Sequence, residues 1–209
     1  MSNNNKPTIV VGCGAHHIPY HYRFLEDALR NAGYVVRVVQ LPSTSAEVVD
    51  DAMSKDVQAI REAVEREIKD GNDVVMVLHS WSGFVGSAAL EGLEEKVKHI
   101  VFLASWIQPS GKGSCEWLGV EELPIDNVEN GLNYVSDPIP KFYRDLPPDL
   151  AQDSVKHLLP MVNSVTKMPL RIPPVWEKVS WTLARIVRKA AGEEVGGIEG
   201  VRVDEKKLF

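Results

Sequence analysis

The 209-residue chain is predicted to be α/β, a doubly wound and mostly parallel sheet, on three observations. Short β-branched runs alternate with segments of helical periodicity, the loops between them are short, and the third run, Asp73 to Leu78, is nearly continuous in apolar residues. Thr8 to Gly12 (TIVVG) is the first buried strand. Tyr20 to Ala32 places Tyr20, Phe24, Ala28 and Leu29 at helical spacing, with Gly33 where a left-handed residue ends a helix. Tyr34 to Leu41 is the second strand, stopped by Pro42-Ser43. Ser45 to Lys69 carries Val49, Met53, Val57, Ile60, Val64 and Ile68 three or four apart, a long amphipathic helix with charges on its outer face. Asp73 to Leu78 is the third strand, Gly83 to Leu93 a helix of small residues, and Val97 to Ala104 the fourth strand. Right-handed crossovers then put helices on both faces of the sheet.

After Pro109 the pattern changes. Eight prolines between Pro138 and Pro174 and the Gly111 to Gly113 joint predict an inserted, mostly helical and loop-rich cap. The organisation expected is a core over 1–109, a cap over 110–174, and a remnant strand or helix with a frayed tail over 175–209. Val179 to Val187 fits a fifth strand and a helix equally poorly, and the tail from Ala190 shows no periodicity.

Composition narrows the function. With 23 basic against 29 acidic residues and a net charge of -6, there is no basic footprint for nucleic acid or an anionic membrane. No apolar run approaches the ~20 residues of a membrane-spanning helix, and the polar start lacks a signal sequence. A cytoplasmic protein is expected. Cys13 and Cys115, the two cysteines, have no disulfide or zinc spacing.

Chemistry concentrates where strands pass into helices. His79-Ser80-Trp81-Ser82-Gly83 puts a serine at a strand-to-helix corner, the pattern of a nucleophile elbow, in which the next backbone N–H, that of Trp81, points at an oxyanion. Ser82 competes with Ser80 for the nucleophile, or both serines merely cap the helix. Gly12-Cys13-Gly14-Ala15-His16-His17 follows the first strand. As a dinucleotide loop it fails, having His17 at the third glycine position and no acid closing the second strand. As an oxyanion loop it supplies the second N–H, from Ala15 or His16.

These segments, with VKHIVFLASWIQPSG after them, resemble the α/β-hydrolase superfamily, and most closely its small fungal and bacterial esterase-like members. Gly14-Ala15-His16-His17 matches the family's G-A-W-H loop with His16 for tryptophan, Leu78 to Gly83 matches its G-H-S-Y-G-G elbow, and Phe142 to Pro147 is similar to its lid. The resemblance implies a serine hydrolase acting on an ester or thioester of a small molecule, in secondary metabolism. Ser80 would be the nucleophile, Ala15 and Trp81 the oxyanion donors, and His16, His17 and Ser82 would line the pocket. No cofactor and no metal are implied.

The triad order of this fold places an acid after a late strand and a histidine near the C-terminus. The six histidines here are His16, His17, His21, His79, His99 and His157, and Arg188 and Lys189 stand where the acid is expected. The tail is read as a truncated homologue or as a wrong reading frame. Its missing strands would leave a sheet edge for a second copy to cover, giving a homo-oligomer. His16 or His17, across neighbouring strand ends, would be a substitute base. His17 and His21 have metal-ligand spacing without a third ligand. Trp106, Trp117, Tyr134 and Trp176 form either an apolar pocket or cap core. The alternative function is a catalytically impaired hydrolase fold that binds a small apolar ligand or a protein partner.

Overall fold

A computed structural model describes residues 6–105, 108, 110–123, 126–173, 175–185 and 199–201. Its main sheet contains β1 (Thr8–Gly12), β2 (Val36–Val39), β3 (Val74–His79), β4 (Val97–Leu103), β8 (Trp181–Arg185) and β9 (Glu199–Val201), in the order β2-β1-β3-β4-β8-β9. The first five are parallel to their neighbours, and β9 is antiparallel to β8. Within the ambiguous stretch Val179 to Val187, Trp181–Arg185 thus resumes the sheet. Within the tail read as frayed, Glu199–Val201 forms a strand; 186–198 and 202–209, Arg188 and Lys189 among them, lie outside the described residues.

The helices cover both faces. On one face, α2 (Ala52–Lys69) and α3 (Ser82–Ala89) pack Met53, Ile60, Val64, Phe84 and Val85 against Val10, Met76 and Leu78. On the other, α1 (Arg23–Asn31) and the 3-10 turn before it, Pro19–Tyr22, bring Tyr22, Leu25 and Leu29 to Ile9, Val11, Val75 and Val77. Alternation along β1 and β3 between the two clusters explains their near-continuous apolar sequence, since both faces of each strand are covered.

The segment read as a mostly helical cap carries α4 (Ser114–Leu118), a π-helical turn (Ile139–Tyr143) and α5 (Pro148–Lys156). It also holds an unanticipated three-stranded antiparallel sheet of β5 (Asp126–Glu129), β6 (Leu132–Val135) and β7 (Met161–Val162). Asn130 and Gly131, both at positive φ, form the two-residue turn between β5 and β6 that matches strand twist. Met161, Val162, Val165 and Ile172 belong to the same buried core as the inner residues of α2 and α3, and the Val162 amide donates to the Ser43 carbonyl. The helix α6 (Val175–Lys178) leads into β8. No helix among the described residues is long and apolar enough to cross a membrane.

Candidate active site

Six non-glycine residues among those described have positive φ. Asp51, Asn130, Asp137 and, in the loop after β1, His16 are of types that tolerate it; Ser80 and Ala104 are not, and they lie directly past the carboxyl ends of the adjacent strands β3 and β4. Backbone strain concentrated at one sheet edge marks a site that the surrounding structure has to hold in place.

Ser80 has φ 50 at the turn from β3 into α3. Its N–H donates to the Leu103 carbonyl at 3.2 Å, and its carbonyl accepts from the Gly83 N–H at 3.0 Å and from Ser105 Oγ at 2.7 Å. The end of β4 therefore grips the elbow on both sides of its strained residue. Ser80 remains partly exposed, whereas Ser82 is fully buried and donates to the carbonyls of Gly12 at 2.9 Å and His79 at 2.9 Å. Ser82 ties the first loop to the elbow from beneath and does not line an open pocket.

The loop after β1 lies directly against this corner. A Cβ on Gly14 would stand 3.1 Å from Ser80 Cβ and 2.7 Å from His79 Nδ1, which is why that position is glycine. The Gly14 N–H donates to the Tyr22 hydroxyl at 2.7 Å. That hydroxyl in turn donates to His79 Nδ1 at 2.7 Å, leaving the His79 proton on Nε2. Burial lowers the His79 pKa to about 4.

Ala15 is brought to the elbow with Gly14, and its carbonyl accepts from His17 Nδ1 at 2.7 Å. His17 Nε2 consequently accepts from the Tyr143 hydroxyl of the π-helical turn at 3.1 Å, so both ring nitrogens are engaged. Burial lowers the His17 pKa to about 3. His16 is buried, with Nδ1 donating to the Leu159 carbonyl at 3.1 Å, while the Leu159 N–H donates back to the His16 carbonyl at 3.0 Å. Both loop histidines thus fasten segment 110–174 to the loop after β1.

Trp81 is the N-cap residue of α3, so its N–H has no carbonyl four residues earlier within the helix to accept it. Its side chain is buried, and the indole donates to Asp56 Oδ2 at 3.1 Å. Asp56 also accepts from the Ser43 amide at 2.8 Å and the Ser43 hydroxyl at 2.6 Å. Sequence reading placed the charges of α2 outward and missed this one. The signal was there, because Asp56 lies three residues after Met53 and four before Ile60, on the apolar stripe.

The remaining histidines lie apart from the serine. His99 bridges Ser180 and Thr182 across β4 and β8, and His157 stacks on Tyr20 at 3.7 Å. His21 Nε2 donates to the Ser154 carbonyl. Among the described residues no cluster of metal-ligating side chains occurs. Trp117 on α4 and Tyr134 on β6 are 37% and 41% exposed; Trp106 and the Trp176 side chain lie outside the described residues. A groove of about 470 Å³ opens elsewhere, between α1, β2 and α2, and is lined by the charged Glu26, Arg30, Arg37 and Arg66.

A parallel sheet with a strained serine at the β3–α3 turn, and a glycine loop from β1 packed against it, defines a protein of the α/β-hydrolase type. The chain belongs to the alpha/beta hydrolase family, whose model matches residues 9–204. It is 38% identical over 91 residues to the alpha/beta hydrolase nvfD of Aspergillus novofumigatus (strain IBT 16806), covering 44% of this chain and 36% of that one. It is 29% identical over 137 residues to a probable hydrolase R7 of Phoma sp. (strain ATCC 20986 / MF5453), covering 62% and 56%. The matched stretches thus span between about a third and just over half of these relatives. Among solved structures, an extracellular alpha/beta-hydrolase from a Paenibacillus species has the same fold, with TM-score 0.67, 15% identity, and 86% and 78% of the two chains covered. The methylesterase MES16 from Arabidopsis has TM-score 0.61, 19% identity, and coverage of 84% and 76%.

Proposed function

We propose that this hydrolase-family protein is a serine esterase whose Ser80 Oγ attacks the carbonyl of a small-molecule ester or thioester. The observation that carries the reading is the positive φ of Ser80, held by Leu103 and Ser105 at the carboxyl end of β3. A residue with a Cβ in that conformation costs free energy of order 1 to 3 kcal/mol, which a capping serine does not require. The turn presents Oγ above the sheet, and the backbone N–H groups of Ala15 and Trp81 flank the position where the carbonyl oxygen becomes an oxyanion. Attack forms the Oγ–C bond and a tetrahedral oxyanion, and the proton that leaves Oγ ends, by way of solvent, on the departing alcohol or thiol. Collapse expels the alcohol or thiol, and water then releases the acid. The reading takes the substrate from secondary metabolism and the site of action as the cytoplasm, following the sequence resemblance.

The test is turnover of a panel of aryl esters and acyl thioesters. Hydrolysis by the wild type that Ser80→Ala removes and Ser82→Ala retains is the expected result; equal rates for wild type and Ser80→Ala would reject it.

A second reading, a catalytically impaired hydrolase fold that binds a small apolar ligand or a partner, is favoured by the loop histidines. His17 has both nitrogens engaged and a pKa lowered by burial, and His79 Nδ1 is taken by Tyr22. Neither is suited to take the Ser80 proton. On this reading the panel is not hydrolysed, and an apolar ligand raises the melting temperature.

A further inference from the structure

Asp56 is fully buried, and burial raises its pKa to about 6 although three hydrogen bonds to the carboxylate oppose that shift. An ion in such a place is retained only where donors face it and an apolar residue would leave them unpaired. The donors are the Ser43 amide, the Ser43 hydroxyl and the Trp81 indole. They come from the loop after β2 and the start of α3 and converge on α2. The indole is also packed against Phe84, with ring centroids 5.2 Å apart, and is 1% exposed. A side chain fixed at its far end and along its face holds its own Cα, and with it the peptide unit joining Trp81 to Ser80.

We propose that Asp56 is a positioning residue for the oxyanion site, acting through the Trp81 indole to fix the backbone N–H that follows Ser80. The proposal rests on the serine-esterase reading and deepens it. It also explains why a carboxylate is needed here rather than an amide. An N–H donor faces each of its two oxygens, the Ser43 amide at Oδ1 and the Trp81 indole at Oδ2, so the NH2 of an asparagine would meet one of them head-on whichever way it is turned. A purely structural role, tying Ser43 to α2, involves two of the three bonds and leaves the indole irrelevant. The two roles therefore differ in what Trp81→Phe does beside Asp56→Asn, since phenylalanine keeps an aromatic ring and the backbone N–H and removes the bond to Asp56 together with the pyrrole half of the buried indole.

The experiment compares wild type, Asp56→Asn, Trp81→Phe and the double variant. Each is first shown to be folded by a cooperative thermal transition, and two quantities are then read. One is the rate of covalent labelling by a fluorophosphonate; the other is the set of backbone amide resonances of Ser80 and Trp81. Losing an oxyanion donor costs about 10²- to 10³-fold, so displacing one is expected to slow labelling about 10-fold in each single variant. The double variant should be no slower than Asp56→Asn, because both changes break one link. The amide resonances should move in both. Wild-type labelling of Trp81→Phe, or unmoved amides in Asp56→Asn, would overturn the proposal. A wild type that is not labelled would instead refute the esterase reading. The amides would then decide alone, their movement in Asp56→Asn supporting the link and their constancy overturning it.

Discussion

Tyr22→Phe removes one oxygen and leaves the ring, so its effect can be worked from two hydrogen bonds. The hydroxyl accepts from the Gly14 N–H and donates to His79 Nδ1, each at 2.7 Å, and Tyr22 is 6% exposed. Without it, a buried donor and a buried acceptor are left unmet, and each costs about 1 to 3 kcal/mol. A change of His79 tautomer gives no relief, because it sets two donors facing one another. The cavity is a single oxygen in size, so packing loss is small. We expect a destabilisation of about 3 kcal/mol, a large share of the roughly 5 to 15 kcal/mol typical of a domain. Because Gly14 directly precedes Ala15, the oxyanion loop should also loosen, and fluorophosphonate labelling should slow about 10-fold, a fraction of what loss of a donor costs. Urea unfolding followed by fluorescence reads the first quantity, and the rate of mass gain reads the second. A midpoint shift equivalent to less than about 0.5 kcal/mol, within the range of an ordinary surface substitution, would refute the bridging role.

Gly14→Ala puts a methyl 2.7 Å from His79 Nδ1 and 3.1 Å from Ser80 Cβ, so it should cost about 1 to 3 kcal/mol in unfolding measurements and slow labelling by more than Tyr22→Phe does. Ser82→Ala deprives the Gly12 and His79 carbonyls of a donor and should lower stability by about 1 to 2 kcal/mol in the same assay, while Ser80 is still labelled. The buried imidazoles set an acid limit. Their pKa values are lowered to about 3 for His17 and about 4 for His79, so below pH 6.5 the unfolded chain binds more protons, and stability falls as pH drops from 6.5 towards 4. Asp56 acts oppositely, because its raised folded value makes the native state the better proton binder between 3.8 and about 6. Melting temperatures from pH 7 to 4.5 should therefore fall in the wild type and fall more steeply in Asp56→Asn; equal slopes would contradict the assignment to Asp56.

The core was legible because its strands are covered on both faces. TIVVG, VVMVL and IVFLA are short, nearly continuous apolar runs, the signature of strands buried on both faces. The serine corner was legible from its position between such a run and a helix of small residues. The small sheet after 110 was not, since β5 and β6 are four residues each and Asp126–Glu129 carries a single large apolar residue, Val128. Only the Asn130-Gly131 pair announced the hairpin. The fifth strand was ambiguous because β8 mixes Trp181 and Leu183 with Thr182 and Ala184, and its place is set by pairing with β4. The supports of the site were the least legible. Tyr22, Asp56 and Ser105 act through contacts with residues 57, 25 and 25 positions away, and no local pattern encodes such separations.

The most direct test of the central claim is to treat the native protein with a fluorophosphonate and map the adduct by peptide mass spectrometry. One adduct on Ser80, formed faster than on any other serine and absent from Ser80→Ala, is the predicted result. An unmodified, well-folded protein, or an adduct that persists in Ser80→Ala, would contradict the claim that Ser80 is an activated nucleophile.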